Sequence, residues 1–290
     1  MKDLKLFLDL IRIKKPIGIM LLFWPCSWGL SLVYDFSNNY SQYTLYLIYF
    51  FLGSMLMRSA GCIVNDILDR KYDILVERTK NRPIASGKIS VNLSLIYVII
   101  LCSLSFLILI QFNFTTILLG LASMPFAFSY PLMKRYTYWP QLFLGFTFNY
   151  GLIMAWFSIN PQFSYIPFIF YFGAIFWTLA YDTIYGYQDI RDDEIIGVKS
   201  TSIKFKKNPK KFIFICYLIF ILLQIITGML MNFEYYYFIG VLFISLHLLI
   251  FQNLNLNISN PKSCLSKFKS NNFLGFIIFL NILISKINLQ

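Results

Sequence analysis

Charge is what this sequence has least of. Only 13% of its 290 residues are Asp, Glu, Lys or Arg, while 58% are hydrophobic. A soluble chain of that length carries about twice the charged share, so a soluble globule is excluded and a polytopic membrane protein is implied. Histidine is scarcer still. His247 stands alone inside an apolar run, which excludes a bis-histidine haem or a histidine-rich metal site. The five cysteines (Cys26, Cys62, Cys102, Cys216 and Cys264) form no CxxC pair and lie mostly in apolar runs. They read as small buried apolar residues, not as a disulfide or zinc framework. The N-terminus lacks a separate apolar region before a small-residue cleavage site, so no removable signal peptide is expected.

What is abundant is apolar sequence in long runs. After a basic, amphipathic opening segment with Leu4, Phe7, Leu8 and Ile11 at helical spacing, which reads as a surface helix, nine runs follow. They are Ile17–Tyr34, Tyr43–Val64, Val91–Gln111, Phe114–Leu132, Tyr138–Phe157, Tyr165–Tyr185, Phe212–Met231, Tyr235–Phe251 and Phe273–Ser285. A crossing helix needs about 20 residues, so the ninth run is short and eight spans is the alternative count. Lys and Arg fill the opening segment, the loop after the second run, the Lys134–Arg135 turn, the loop after the sixth run and a Lys262–Lys269 loop. The alternate loops, around Asp35, Asn113, Asn160 and Glu234, hold neither. This asymmetry places the N-terminus and the long loops in the cytoplasm. The net charge of +12 is therefore topology plus attraction to anionic lipid or substrate, and no nucleic-acid partner is expected.

The densest chemistry lies between Asn65 and Gly87, NDILDRKYDILVERTKNRPIASG. Asp66, Asp69 and Asp73 stand at i, i+3 and i+7, within roughly a 60° arc of a helix, with Asn65 beside them. Three like charges on one face repel unless a cation sits among them or neighbouring bases satisfy them. Oxygen-only ligands favour a hard ion such as Mg²⁺, which also binds substrate phosphate. The loop after the sixth run echoes the pattern: Asp189 and Asp193 are an i, i+4 pair, with Asp192 on the same arc and Asp182 upstream. Both clusters close an even-numbered span, so both lie on one membrane face, which argues against a merely solvated helix end. Carboxylates from two loops can hold two Mg²⁺ ions against a diphosphate, neutralising charge on a leaving group. Lys134 and Arg135, with Arg70, Arg78, Arg82 and Lys199 beside the acids, supply the phosphate-binding half. A metal-diphosphate site under an apolar bundle calls for a substrate with a charged head and a long apolar tail, as in a prenyl diphosphate.

These residues resemble the UbiA-type intramembrane prenyltransferase superfamily, whose marks NDxxDxxxD and DxxxD appear as Asn65–Asp73 and Asp189–Asp193. A third mark, YxxxK, appears as Tyr130-PLM-Lys134. Within it, KPIGIMLLFWPCSW, LMRSAGCIVND, YPLMKRYTYWPQ and AYDTIYGYQDIRDDEIIGVKST are similar to 4-hydroxybenzoate polyprenyltransferases of ubiquinone synthesis. The resemblance implies an all-α polytopic fold of about nine transmembrane helices around a central cavity, one domain over residues 1–290, with the Asp-rich loops cytoplasmic. It implies Mg²⁺ on Asn65, Asp69, Asp73, Asp189 and Asp193, with Asp66 a weaker candidate, and diphosphate on Lys134 and Arg135, with Arg70 and Tyr130 as further candidates. Asp69, Asp73, Asp189, Asp193 and Arg135 are the candidate catalytic set. The substrates would be a polyprenyl diphosphate and an aromatic acid, the partners membrane lipid and other quinone-synthesis enzymes. The membrane would be a bacterial inner membrane, with the mitochondrial inner membrane as the alternative.

One charge falls outside these groups. Arg58 lies inside the second run, about 10 Å deeper than Asn65, where burial in lipid costs roughly 2.5–3.5 kcal/mol. Either it is a structural ion pair or it faces the acceptor's carboxylate; Asp182 is the second acceptor-side candidate and, with released diphosphate, a candidate proton acceptor. Rival readings are a sister enzyme acting on a naphthoate, homogentisate, haem or chlorophyll precursor, and a transporter, which would carry its acids at mid-span rather than at helix ends.

Overall fold

The computed structural model describes residues 2–37 and 39–289, and among them every regular element is helical. In chain order these are α1 (Lys2–Leu10), α2 (Ile17–Val33), α3 (Tyr40–Asp73), α4 (Val91–Leu109), α5 (Phe114–Ser129), α6 (Met133–Tyr136), α7 (Pro140–Ile159), α8 (Ile166–Gly186), α9 (Ile190–Ile196), α10 (Thr201–Lys204), α11 (Pro209–Leu230), α12 (Tyr235–Leu246) and α13 (Pro261–Asn288). A 3₁₀ turn, Tyr130–Leu132, joins α5 to α6, and a π-helical stretch, His247–Leu254, prolongs α12.

Among the described residues eight helices are long and apolar enough to cross a membrane, and α2, 17 residues long, is a shorter apolar ninth. The short span is thus the first and not the last. The expected Lys262–Lys269 loop is helical as well: Asn260 caps the backbone N–H groups of Lys262 and Ser263, Pro261 starts the helix, and α13 runs 28 residues. The lysines of its opening turns hid that start, because composition reports polarity and not backbone state.

α2 sits in the middle of the bundle, which explains its length: it is wrapped by protein more than by lipid. Its Gly29 meets the Leu152 carbonyl of α7 so closely that a Cβ there would lie 2.2 Å from the oxygen. Trp28, Trp177, Phe170 and Phe220 form an aromatic spine between α2, α8 and α11, with Trp28 and Trp177 centroids 5.2 Å apart. Buried Asn149 of α7 donates its amide N–H groups to Ala174 O and Thr178 Oγ1 of α8, which fixes the pair.

The basic ends of these helices converge. Leu10 and Ile11 dock on Ala60, Ile63, Ile84, Ile89 and Leu101, pinning the amphipathic α1 against α3, α4 and the 74–90 loop. Lys199 N donates to Lys134 O at 2.8 Å, joining the segment after α9 to α6.

Candidate active site

A cavity of about 350 Å³ opens at this end of the bundle. α3 enters it as one unbroken helix ending at Asp73, so the acids of the first cluster keep their i, i+3, i+7 spacing on a rigid face. Asn65, Asp69 and Asp73 line the cavity, as do Asp189 and Asp193 from the opposite wall. Asp189 is the residue on which α9 starts, just after α8 has ended at Gly186, and Gly197 closes α9 in the left-handed conformation at φ 78°. Lys134, Tyr130, Arg58 and Asp182 line the same cavity.

Each acid of the first cluster meets a base. Lys134 Nζ donates to Asp69 Oδ2. Arg82 Nη1 donates to Asp73 Oδ2 at 2.8 Å and to Asp66 Oδ1 at 3.2 Å. Across the cavity Arg78 grips Asp189 through Nε and Nη2 and donates to the Tyr185 hydroxyl at 3.1 Å. Asp193 has no such partner among the described residues; burial, then the neighbouring Asp189 charge, pushes its carboxyl up to about 6. Among the described residues no three carboxylates stand close enough together to hold an ion as they are placed. The donor set nevertheless fits a hard cation: Asn65 and the four cluster acids that line the chamber offer oxygen ligands, and Asp69 Oδ1 is buried without a hydrogen-bond partner among the described residues. Lys134, Arg78 and Arg82 neutralise the acids in this arrangement and are long enough to turn from carboxylate to phosphate.

Three expected site residues lie elsewhere. Arg70 is exposed and turned back on its own helix, Nη1 to Ile67 O at 3.4 Å, because one residue beyond Asp69 is about 100° off the acid face. Asp66 does not line the cavity; it is 2% exposed and held between Arg82 and Arg12. Arg135 is outside the lining too. Its Nη2 donates to the Leu68 carbonyl at 2.7 Å, near the end of α3, and its guanidinium stacks on Tyr72. It stands 3.9 Å from Asp69 Oδ1, behind the acid and not in the chamber.

The sequence reading missed Arg12. It follows α1 with φ 57°, a strained backbone for an arginine, and it lines the cavity while bonding Asp66. Its only sequence signal was a base at the end of an amphipathic segment, which surface attraction already explained. Gln141, Phe148, Tyr181 and Phe268 also line the cavity without having been singled out.

At the deep end, Arg58 makes no salt bridge among the described residues. Its guanidinium lies beside the Tyr130 phenol and 5.1 Å from the Phe148 ring centroid. Gly18 makes room for it, since a Cβ there would come within 2.6 Å of Arg58 Nε. Arg58, Tyr130 and Phe148 also border a second cavity of about 150 Å³, mostly apolar, between α2, α3, α4, α5 and α7.

Residues 22–281 match the profile of the UbiA prenyltransferase family. The chain is 40% identical to "4-hydroxybenzoate polyprenyltransferase, mitochondrial" of Drosophila pseudoobscura pseudoobscura, over 97% of this chain and 70% of that protein. The Homo sapiens protein of the same name is 40% identical over 99% of this chain and 76% of its own. Among solved structures, a UbiA homolog from Aeropyrum pernix K1 superposes with a TM-score of 0.77 at 20% identity, covering 92% of this chain and 97% of that one. A UbiA homolog from Archaeoglobus fulgidus, bound to GPP and Mg²⁺, gives 0.67 at 18% identity, covering 96% and 99%. The mitochondrial names of the sequence relatives overturn the expected bacterial inner membrane, on which composition and loop charge had nothing to say. Those features report that a chain crosses a membrane and which loops share a face, and carry no label for the organelle.

Proposed function

The chain belongs to the UbiA prenyltransferase family, and from that premise we propose that it transfers a polyprenyl group from its diphosphate to the carbon ortho to the hydroxyl of 4-hydroxybenzoate, in a mitochondrial membrane, as a step of ubiquinone synthesis. The observation that carries the acceptor is Arg58: a guanidinium deep in the chamber, in no salt bridge among the described residues, is a ready site for the acid's carboxylate.

The rest of the chamber suits such a reaction. Asn65, Asp69, Asp73, Asp189 and Asp193 would hold Mg²⁺, which when bound supplies positive charge to the leaving diphosphate. Lys134, Arg78 and Arg82 would release their carboxylates and turn to the phosphate oxygens. The apolar second cavity, meeting the chamber at Tyr130 and Phe148, would take the first part of the prenyl chain. As the carbon–oxygen bond to diphosphate breaks, the allylic cation forms beside these rings, whose π faces stabilise it. The acceptor's ring carbon attacks, and the ring proton passes to Asp182, which lines the chamber near Arg58. Catalysis is then positioning and electrostatics, with no covalent intermediate on the protein.

The test is Arg58→Met assayed with 4-hydroxybenzoate and its methyl ester. The expected result is a KM for the acid raised on the order of 10- to 100-fold, with discrimination against the ester lost and the KM for prenyl diphosphate little changed. Equal losses for both substrates would assign Arg58 to structure and remove the acceptor from that end of the chamber.

A further inference from the structure

α8 carries a second polar group at the depth of Arg58. Tyr181 lies five residues inside the end of α8 and Arg58 seven residues before Asn65, so both sit roughly 10 Å below the acids on opposing walls. Tyr181 lines the cavity and is 1% exposed, and its hydroxyl makes no hydrogen bond of good geometry among the described residues; the Thr178 side chain, one turn back on α8, acts on it only weakly, and Thr178 Oγ1 already accepts from Asn149. Its ring is not loose: it packs edge-on against Trp177 at 4.9 Å between centroids and against Phe268 at 5.8 Å. Arg58 and Asp182 are the charged groups that act on it.

A buried phenol without a well-formed hydrogen bond is a standing cost to the free protein. Phenylalanine would fill the same space without that cost, and the packing of Trp177 and Phe268 would accept it unchanged. The hydroxyl therefore contributes nothing to the free protein's stability that the ring does not already supply. A phenolic O–H in this position is a donor waiting for an acceptor, and the nearby cation, Arg58, would draw an anion to the same place.

We propose that Tyr181 is an acceptor-binding residue: its hydroxyl donates to the carboxylate of the aromatic acid that Arg58 holds from the facing helix. Two donors from two helices fix the carboxylate's plane as well as its position. That turns the ring so that the carbon ortho to its hydroxyl faces the prenyl diphosphate. This inference rests on the reading of the chamber as an acceptor site for an aromatic acid.

Tyr181→Phe in the full-length protein tests it, with radiolabelled 4-hydroxybenzoate, a prenyl diphosphate and Mg²⁺ as probes, and with thermal unfolding measured on the same preparation. The expected result is a KM for 4-hydroxybenzoate raised on the order of 10- to 100-fold, a KM for prenyl diphosphate within about twofold of the wild type, and a Tm unchanged or higher. Combined with Arg58→Met, the loss should be clearly smaller than the product of the single losses, because both side chains act on one carboxylate. An unchanged acceptor KM, equal rises for both substrates, a lowered Tm or full multiplicativity with Arg58→Met would each overturn the role of Tyr181. Failure of the wild-type protein to prenylate 4-hydroxybenzoate would instead overturn the acceptor reading beneath it.

Discussion

The two walls of the chamber carry the same kind of residue and are built differently. On one wall Asp69 and Asp73, with Asp66 behind them, belong to a single 34-residue helix, are 2–6% exposed, and are tied to bases from three other segments. On the other, Asp189 caps and Asp193 lies within a seven-residue helix with no buried residue, and a single base, Arg78, holds Asp189. The first wall is fixed by burial and by partners from α6, the N-terminal segment and the 74–90 loop. The second is a short, half-buried turn set in place by little more than Arg78 and the segment that follows it. A site built this way keeps one rigid ligand face and leaves the other free to adjust to what arrives.

The largest effect should come from removing a carboxylate from either wall. Asp69→Asn or Asp189→Asn should abolish prenyl transfer while leaving the protein folded and inserted, whereas Asp35→Asn should stay near the wild type; transfer assays at limiting Mg²⁺ would show the contrast. The walls should then separate in stability. Asp66→Asn leaves Arg12 and Arg82 facing a neutral group, and breaking a buried ion pair costs about 3–5 kcal/mol. A clear drop in thermal unfolding temperature is expected there, and a smaller one for Asp189→Asn on the half-buried wall.

Below these comes Lys134→Ala. Removing a charge-assisted contact to the leaving diphosphate should lower kcat/KM on the order of 10- to 100-fold, read from steady-state kinetics with varied prenyl diphosphate. The smallest effect belongs to Arg70→Ala, an exposed residue whose loss should change stability by no more than about 0.5 kcal/mol and leave turnover near normal. A large loss of activity with Arg70→Ala would mean that the outward face of α3 takes part in the site.

These residues also mark where the sequence was and was not sufficient. The period of 3.6 residues placed Asp66, Asp69 and Asp73 on one face, and α3 carries them so, because an unbroken helix converts spacing into direction. The same rule, applied to Arg70, would have turned it outward. Arg135 was beyond such reasoning: whether a base in a short turn reaches the chamber or the Leu68 carbonyl depends on how α6 meets α3. Arg12 and Tyr181 were hidden for a related reason. One acts across a loop of tertiary contacts, and the other reads as an aromatic in an apolar run until its hydroxyl, without a well-formed hydrogen bond, is found facing a cavity. The π-helical stretch at His247–Leu254, where Gln252 bonds Asn271 of α13, had no signal in the periodicity at all.

The central claim is that two acid clusters, far apart in sequence, hold one Mg²⁺-diphosphate between them. Binding of a prenyl diphosphate to the purified protein, titrated with Mg²⁺ for the wild type, Asp69→Asn and Asp189→Asn, tests this most directly. The account predicts tight binding that requires Mg²⁺ in the wild type, and loss of that requirement together with most of the affinity in each variant. Undiminished Mg²⁺-dependent binding in either variant would mean that one wall binds the diphosphate alone, and would contradict it.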